Sequence, residues 1–186
     1  MYLSIVRHGQ TAYNASGLVQ GRIDIPLNDK GRMQAKALGE QLNENQEHYD
    51  IIIASPLSRA YETALIIAQT IHYDRKIQTD PSFVERDFHH LDGTPVEQAM
   101  PLVRSKNYQF ETYETDQEII ARIKKAAINL ETQYPNQSVL LVAHSHVIKA
   151  LMICADPNKY TFADLIKHLD VIHFEITNGH ISVIKK

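Results

Sequence analysis

The chain has 186 residues, a formal charge of −3, and 44% hydrophobic against 22% charged residues, which suits one soluble globular domain and argues against disorder as its main state. The near-neutral balance argues against a general nucleic-acid or anionic-membrane binder. The single cysteine, Cys154, excludes an intramolecular disulfide or multi-cysteine zinc module and reads as a buried small apolar residue between Ile153 and Ala155. The longest apolar run, Ala150 to Ala155, falls far short of the roughly 18 residues of a membrane span, and Arg7 and His8 interrupt the first apolar stretch, so neither a span nor a signal peptide is expected and a cytoplasmic protein is.

Tyr2 to Val6 is a short apolar run and reads as a buried strand. Thr11 to Pro26, with Asn14, Ser16, Gly17 and Gly21, reads as loop. Asn28 can cap a helix to about Glu44 with Met33, Ala37 and Leu38 on one face. Ile51 to Ile53 is a second strand. Ser55-Pro56 then reads as a capping serine with proline at the first helical position. The helix it opens repeats apolar residues at Leu57, Ala60, Tyr61, Ala64, Leu65 and Ala68. Ile77 to Thr79 is a candidate third strand, stopped by Asp80-Pro81.

Phe83 to Glu114 is the least regular stretch, with at most a short helix between Pro95 and Pro101. Thr115 with Glu118 forms a capping box, opening a helix that turns Ile119, Ile120, Ile123, Ala127 and Leu130 inward. Ser138 to Ala143 reads as a fully buried strand, and Val147, Ile148, Leu151 and Met152 begin another helix. Val171 to Thr177 and Ile181 to Ile184 flank Asn178-Gly179, a strong hairpin signal.

Strands alternating with helices predict an α/β fold, a three-layer α/β/α sandwich around a mostly parallel sheet. Ligands of such sheets sit beyond the carboxyl ends of the strands. That rule singles out Arg7-His8, Ser55 with Arg59, and His144. A histidine beside an arginine at a strand end suits an anionic substrate, and Gly9 is expected to let the backbone turn and approach a ligand closely. Read alone, each has a plainer meaning: His8 as a turn histidine, Arg59 as a solvated helix residue, His144 as a core histidine.

Arg7-His8-Gly9-Gln10-Thr11-Ala12-Tyr13-Asn14 resembles the R-H-G-x-T-x-x-N signature of the histidine phosphatase superfamily, the phosphoglycerate-mutase-like enzymes. The resemblance continues through Gln20 to Leu27, Gly31, Gln34 and Ala35, through Ser55 to Ala60 with Thr63-Ala64, and through Glu85 to Phe88 and Val142 to His144. It implies the phosphoglycerate-mutase-like fold over residues 1–186, with a short cap-like insertion around 94–114. It also implies a covalent mechanism. His8 would attack phosphorus and become a phosphohistidine, while Arg7, Arg59 and His144 grip the phosphoryl oxygens, where charge spreads in the transition state. Glu85 would protonate the departing alcohol and then activate water, with Asp87 as its neighbouring rival. A carboxyl in a cationic pocket prefers to ionise, so Glu85 is expected to hold its proton only when the bound phosphoryl group opposes those cations. Asn14, Gln20, Gly21 and Ser145 would bind substrate at the rim.

The chain departs from the family pattern at His89-His90-Leu91-Asp92-Gly93 and at Ser145-His146. His144-x-His146 and His89-His90 invite a metal reading, but no cysteine cluster or H-E-x-x-H accompanies them, and neither a metal nor a cofactor is expected. Protonated His89, His90 or His146 could instead meet a second acidic group on the substrate. Arg104 and Lys106, within a partial lid from Thr94 to Tyr113, could do the same. The expected function is a phosphomonoesterase for a small phosphorylated metabolite, because the short insertion would leave a phosphohistidine open to water. Phosphoglycerate mutase is the alternative, and a catalytically weak binding protein of the same fold is a third. Oligomeric state is not legible.

Overall fold

A computed structural model describes residues 1–105, 108, 110 and 112–185. In chain order the elements are β1 (Tyr2–Arg7), α1 (Ala12–Ala15), α2 (Asp29–Glu44), β2 (Ile51–Ala54), α3 (Ser58–Thr70), β3 (Gln78–Thr79), α4 (Val96–Val103), α5 (Asp116–Gln133), β4 (Ser138–Ala143), α6 (Ser145–Ala155), β5 (Val171–Thr177) and β6 (His180–Lys185), with single 3₁₀ turns at Pro81–Phe83 and His89–Leu91. The strands form one sheet in the order β3-β2-β4-β1-β5-β6. The first four run parallel, and β5 and β6 add an antiparallel hairpin at the β1 edge.

Alternation along the strands explains the three layers. Leu3, Ile5, Ile53, Val139 and Leu141 face one way, into a core with Ile119, Ile123 and Leu130 of α5 and Val147, Ile148 and Leu151 of α6. Val6, Ile52, Ala54, Leu140 and Val142 face the other way, against Leu38 and Leu42 of α2 and Ala60, Ala64 and Ile67 of α3. A smaller cluster gathers Val19, Phe88, Leu91, Ala99, Val103 and Tyr113 around α4, beside the main body. The expected α/β/α sandwich is therefore the fold. No helix among the described residues is long and apolar enough to cross a membrane.

Several local expectations change. The loop after β1 contains α1, whose capping box joins Thr11 to Asn14. On α2 the buried face is Gly31, Ala35, Leu38, Gly39 and Leu42. Met33 and Ala37 face solvent, because the stripe that meets α3 runs through the small residues. Ser55 does not cap α3, whose cap position is Leu57 without a side-chain bond. Tyr61 and Leu65 are exposed, and Arg59 and Thr63 take the buried positions instead. Helix α4 runs through Pro101 rather than stopping before it. Cys154 is half-buried at the core margin. Gly9 serves a close approach within the chain: a Cβ there would meet the Gly31 carbonyl oxygen at 2.5 Å, where the first turn of α2 packs on the β1 loop.

Candidate active site

Register builds the site. β1 and β4 pair in parallel with Arg7 opposite Ala143, so His8 and His144 emerge side by side at adjacent carboxyl ends. The His8 amide donates to the Ala143 carbonyl at 3.0 Å, and the two imidazoles meet edge-on with centroids 5.1 Å apart. β2 lies on the other side of β4, and the residue after it, Ser55, places its Oγ 2.8 Å from His144 Nε2. Four of the five residues singled out at the centre are buried: His8, Arg59, Glu85 and His144. Arg7 is half-buried.

His8 is held in one tautomer. Its Nδ1 lies 2.7 Å from the Gly9 carbonyl oxygen, which can only accept, so Nδ1 carries the proton. Nε2 then offers a lone pair, which accepts from Arg59 Nε at 3.3 Å. Burial, reinforced by Arg59 and Arg7, pushes the His8 pKa well below its ordinary value, so the ring is neutral. A neutral imidazole with a fixed Nδ1–H and an available Nε2 is a competent nucleophile.

Arg59 is wholly enclosed. Besides His8 it donates from Nη1 to the Ile23 carbonyl at 2.9 Å and from Nη2 to the Gly21 carbonyl at 2.7 Å. Burial lowers its pKa to about 10, which leaves it cationic at neutral pH. Arg7 Nη1 donates to the Ile166 carbonyl at 2.6 Å. Arg7 Nε and His144 Nδ1 are buried without a hydrogen-bond partner. Two orphaned polar atoms, on the residue before His8 and on the ring packed against it, fit an anion whose oxygens would satisfy them.

Glu85 accepts the Arg86 amide at 2.8 Å and the His146 amide, in the first turn of α6, at 3.2 Å. Burial nevertheless raises its pKa, against those amides and against Arg59 and Arg7. Desolvation thus outweighs the surrounding cations in the direction of the shift, which favours the protonated form that a general acid needs. The rival Asp87 pairs with Arg22 at 3.2 Å and accepts the His89 amide at 2.9 Å, away from the centre.

The rim candidates take supporting places. Asn14 closes the α1 capping box. Gln20 accepts from Thr11 Oγ1 at 2.5 Å and reaches the Ile25 carbonyl at 3.4 Å. Gly21 supplies a carbonyl to Arg59, and its amide is held by Asp92 at 2.6 Å. Ser145 is half-buried in the first turn of α6. His89 and His90 pack on Phe110, and His90 meets the Tyr108 hydroxyl at 2.9 Å. His146 stacks on Phe162 and meets Phe88 edge-on, and burial holds its pKa well below the ordinary value. Among the described residues, no group of three or more His, Cys, Asp or Glu is arranged to hold a metal ion. Arg104 follows α4 and is exposed; Lys106 lies outside the described residues.

Sequence reasoning missed four contributors. Thr63 and His168 hold the two ends of the His8–Gly9 peptide, Thr63 through the Gly9 amide and His168 through the His8 carbonyl. Arg86, wholly buried, pairs with Asp116 at 2.8 Å beneath the Tyr113 ring. Lys149 is buried, donates to the Phe162 carbonyl at 3.0 Å and has its pKa lowered to about 8 by burial. Helical spacing gave a signal for Lys149 alone, a lysine inside the apolar face of α6.

The model of the histidine phosphatase superfamily (branch 1) matches residues 3–185. The chain belongs to that superfamily. A phosphatase of Bacillus subtilis, PhoE, is 38% identical over 151 residues, covering 80% of this chain and 74% of PhoE. Phosphoserine phosphatase 1 of Hydrogenobacter thermophilus is 30% identical, covering 82% of this chain and 74% of its own. Among solved structures, phosphoglycerate mutase from Bacillus anthracis superposes with a TM-score of 0.87 at 22% identity, covering 100% of this chain and 92% of its own, which shows the shared fold. The sequence relatives named here are phosphatases, and the mutase shares the fold.

Proposed function

We propose that this histidine phosphatase hydrolyses small phosphomonoesters through a phosphohistidine on His8. The observation that carries the reading is the fixed tautomer: Nδ1–H on the Gly9 carbonyl and Nε2 facing Arg59. When substrate enters, a phosphoryl oxygen takes over the Arg59 Nε–H and releases the Nε2 lone pair to attack phosphorus. Arg7 and His144 bring their orphaned N–H groups to the remaining oxygens. Glu85 gives its proton to the leaving alcohol as the P–O bond breaks, then takes one from the water that cleaves the phosphohistidine. The similarity to PhoE supports hydrolysis as the outcome.

The substrate class we favour carries a second anionic group. The cavity of about 310 Å³ lined by Arg86, Arg104, Tyr108, Tyr113 and Asp116 has none of the central residues in its wall, and its Arg86 is paired with Asp116, so the reading rests on the relatives rather than on that cavity. Relatives named for phosphoserine and phosphoglycerate chemistry agree with such a substrate.

The test is rapid-quench labelling with ³²P-phosphoserine and 3-phosphoglycerate, wild type beside His8→Ala, with product analysis. The expected result is one acid-labile phosphate per wild-type chain, release of inorganic phosphate, and neither in the variant. Stoichiometric labelling of His8→Ala would overturn the nucleophile. Isomerised product without free phosphate would make the protein a mutase.

A further inference from the structure

The segment before β5 grips the end of β1. Arg7 Nη1 donates to the Ile166 carbonyl at 2.6 Å, the Leu169 amide donates to the Arg7 carbonyl at 3.0 Å, and the Arg7 amide donates to the Asp170 carbonyl at 3.3 Å. Leu169 adopts a left-handed conformation, φ 61°, which a leucine rarely takes without tertiary support. The Asp170 carboxylate accepts the Lys167 amide at 2.6 Å and so locks the turn from inside. Within this turn stands His168, half-buried, its ring 5.8 Å from that of His8 and its Nδ1 2.9 Å from the His8 carbonyl oxygen.

That contact has one direction. The carbonyl can only accept, so His168 Nδ1 carries a hydrogen. The other end of the same peptide is held too: the Gly9 amide donates to Thr63 Oγ1 at 3.1 Å, and Thr63 in turn donates to the Arg59 carbonyl at 2.7 Å. The peptide is planar, so fixing its C=O and its N–H fixes its whole plane. That plane places Gly9, whose own carbonyl receives His8 Nδ1–H and thereby sets where Nε2 points.

We propose that His168 is a positioning residue for the nucleophile: its Nδ1–H, together with Thr63, fixes the His8–Gly9 peptide and so the direction of His8 Nε2. The proposal rests on His8 being the nucleophile. The role requires only a donor at the Nδ1 place. Burial, with Arg7 nearby, lowers the His168 pKa to about 4, so at neutral pH the ring is uncharged and its tautomer is a real variable.

The experiment uses the whole protein and p-nitrophenyl phosphate. An asparagine amide nitrogen falls near the place of Nδ1, and a glutamine amide nitrogen near that of Nε2. His168→Ala and His168→Gln are expected to lower kcat about 10- to 100-fold with KM within twofold, because misplacing a reacting atom costs rate rather than ground-state affinity. His168→Asn should recover to within about threefold of wild type for the same reason. Nitrogen NMR of the wild type should show His168 protonated at Nδ1, a readout that survives even if a variant fails to fold. An Nε2–H tautomer, rescue by glutamine instead of asparagine, or unchanged kcat in all three variants would overturn the proposal. Turnover by His8→Ala would instead overturn the nucleophile, while leaving the tautomer measurement intact.

Discussion

At the residue scale, desolvation decides what the central groups can do. Glu85 sits among Arg7 and Arg59, and cations alone would strip its proton; burial wins and raises its pKa. In the general-acid role proposed for it Glu85 must be protonated, so activity should fall as pH climbs through that raised value. The limb should be plain for alkyl phosphates, whose alcohols need a proton, and weak for p-nitrophenyl phosphate, whose phenolate leaves unaided. Glu85→Gln should remove the alkaline limb and cost about 10²- to 10⁴-fold in kcat on 3-phosphoglycerate. On p-nitrophenyl phosphate it should cost far less. Paired pH–rate profiles check this, and equal losses on both substrates would make Glu85 a structural residue. Arg7, His8 and His144 were legible because each stands where a buried strand ends, and Arg59 because it opens the helix that follows β2. Glu85 follows no buried strand and was reached only through the family resemblance. Ser55 was misread because a serine before proline carries the same local signal whether it caps a helix or, as here, meets a histidine 89 positions away.

At the element scale, local grammar held wherever the deciding contacts were local. Thr115 and Glu118 form the capping box that opens α5, and Asn28 accepts the Gly31 amide at the start of α2. The Asn178-Gly179 turn joins β5 to β6, with both residues at positive φ. Grammar failed on the faces of α2 and α3, whose buried sides follow the other helix and the site rather than hydropathy. Met33 is exposed, whereas Arg59 is enclosed because α3 points it at His8. The glycine at Gly31 shows the cost of that packing. A Cβ there would collide with the Gln10 backbone, two residues beyond His8. Gly31→Ala should therefore destabilise the fold by about 1–3 kcal/mol, despite alanine's better helix propensity, because the loop or the helix must shift. Because that loop follows His8, kcat should fall alongside. Lys30→Ala, one position away on the exposed side, should change stability by no more than about 0.5 kcal/mol. Thermal unfolding of the pair, with kcat on p-nitrophenyl phosphate, separates the two; a Gly31→Ala protein as stable as wild type would show that the loop yields freely.

At the scale of the whole molecule, four histidines are kept neutral by the same enclosure that builds the site. His8, His144 and His146 have pKa values held well below the ordinary one, and that of His168 is lowered to about 4, burial being the first cause in each. Unfolded, each binds a proton near pH 6.5; folded, each resists until a lower pH. The unfolded chain thus binds more protons in that window, and stability must fall as pH drops below about 6.5. Glu85 works in the opposite sense. Its raised value means the folded state binds the extra proton, so its contribution declines as pH rises out of the carboxylate range. Four histidines against one carboxyl should leave a net acid sensitivity. His146 can be substituted without losing its packing, because its ring lies between Phe88 and Phe162, its backbone amide serves Glu85, and its Nδ1 comes only to 4.0 Å from the Glu85 carboxylate. His146→Phe should keep the amide, the stack and the fold. It should also flatten the pH dependence of unfolding free energy below pH 6.5 by up to about 1.4 kcal/mol per pH unit, the slope of one proton. Urea titrations of both proteins from pH 8 to pH 5, in buffer free of phosphate, measure that difference directly. Parallel slopes would mean that His146 takes up its proton in the folded protein as readily as in the unfolded chain, and that the enclosure around Glu85 is wetter than its packing implies.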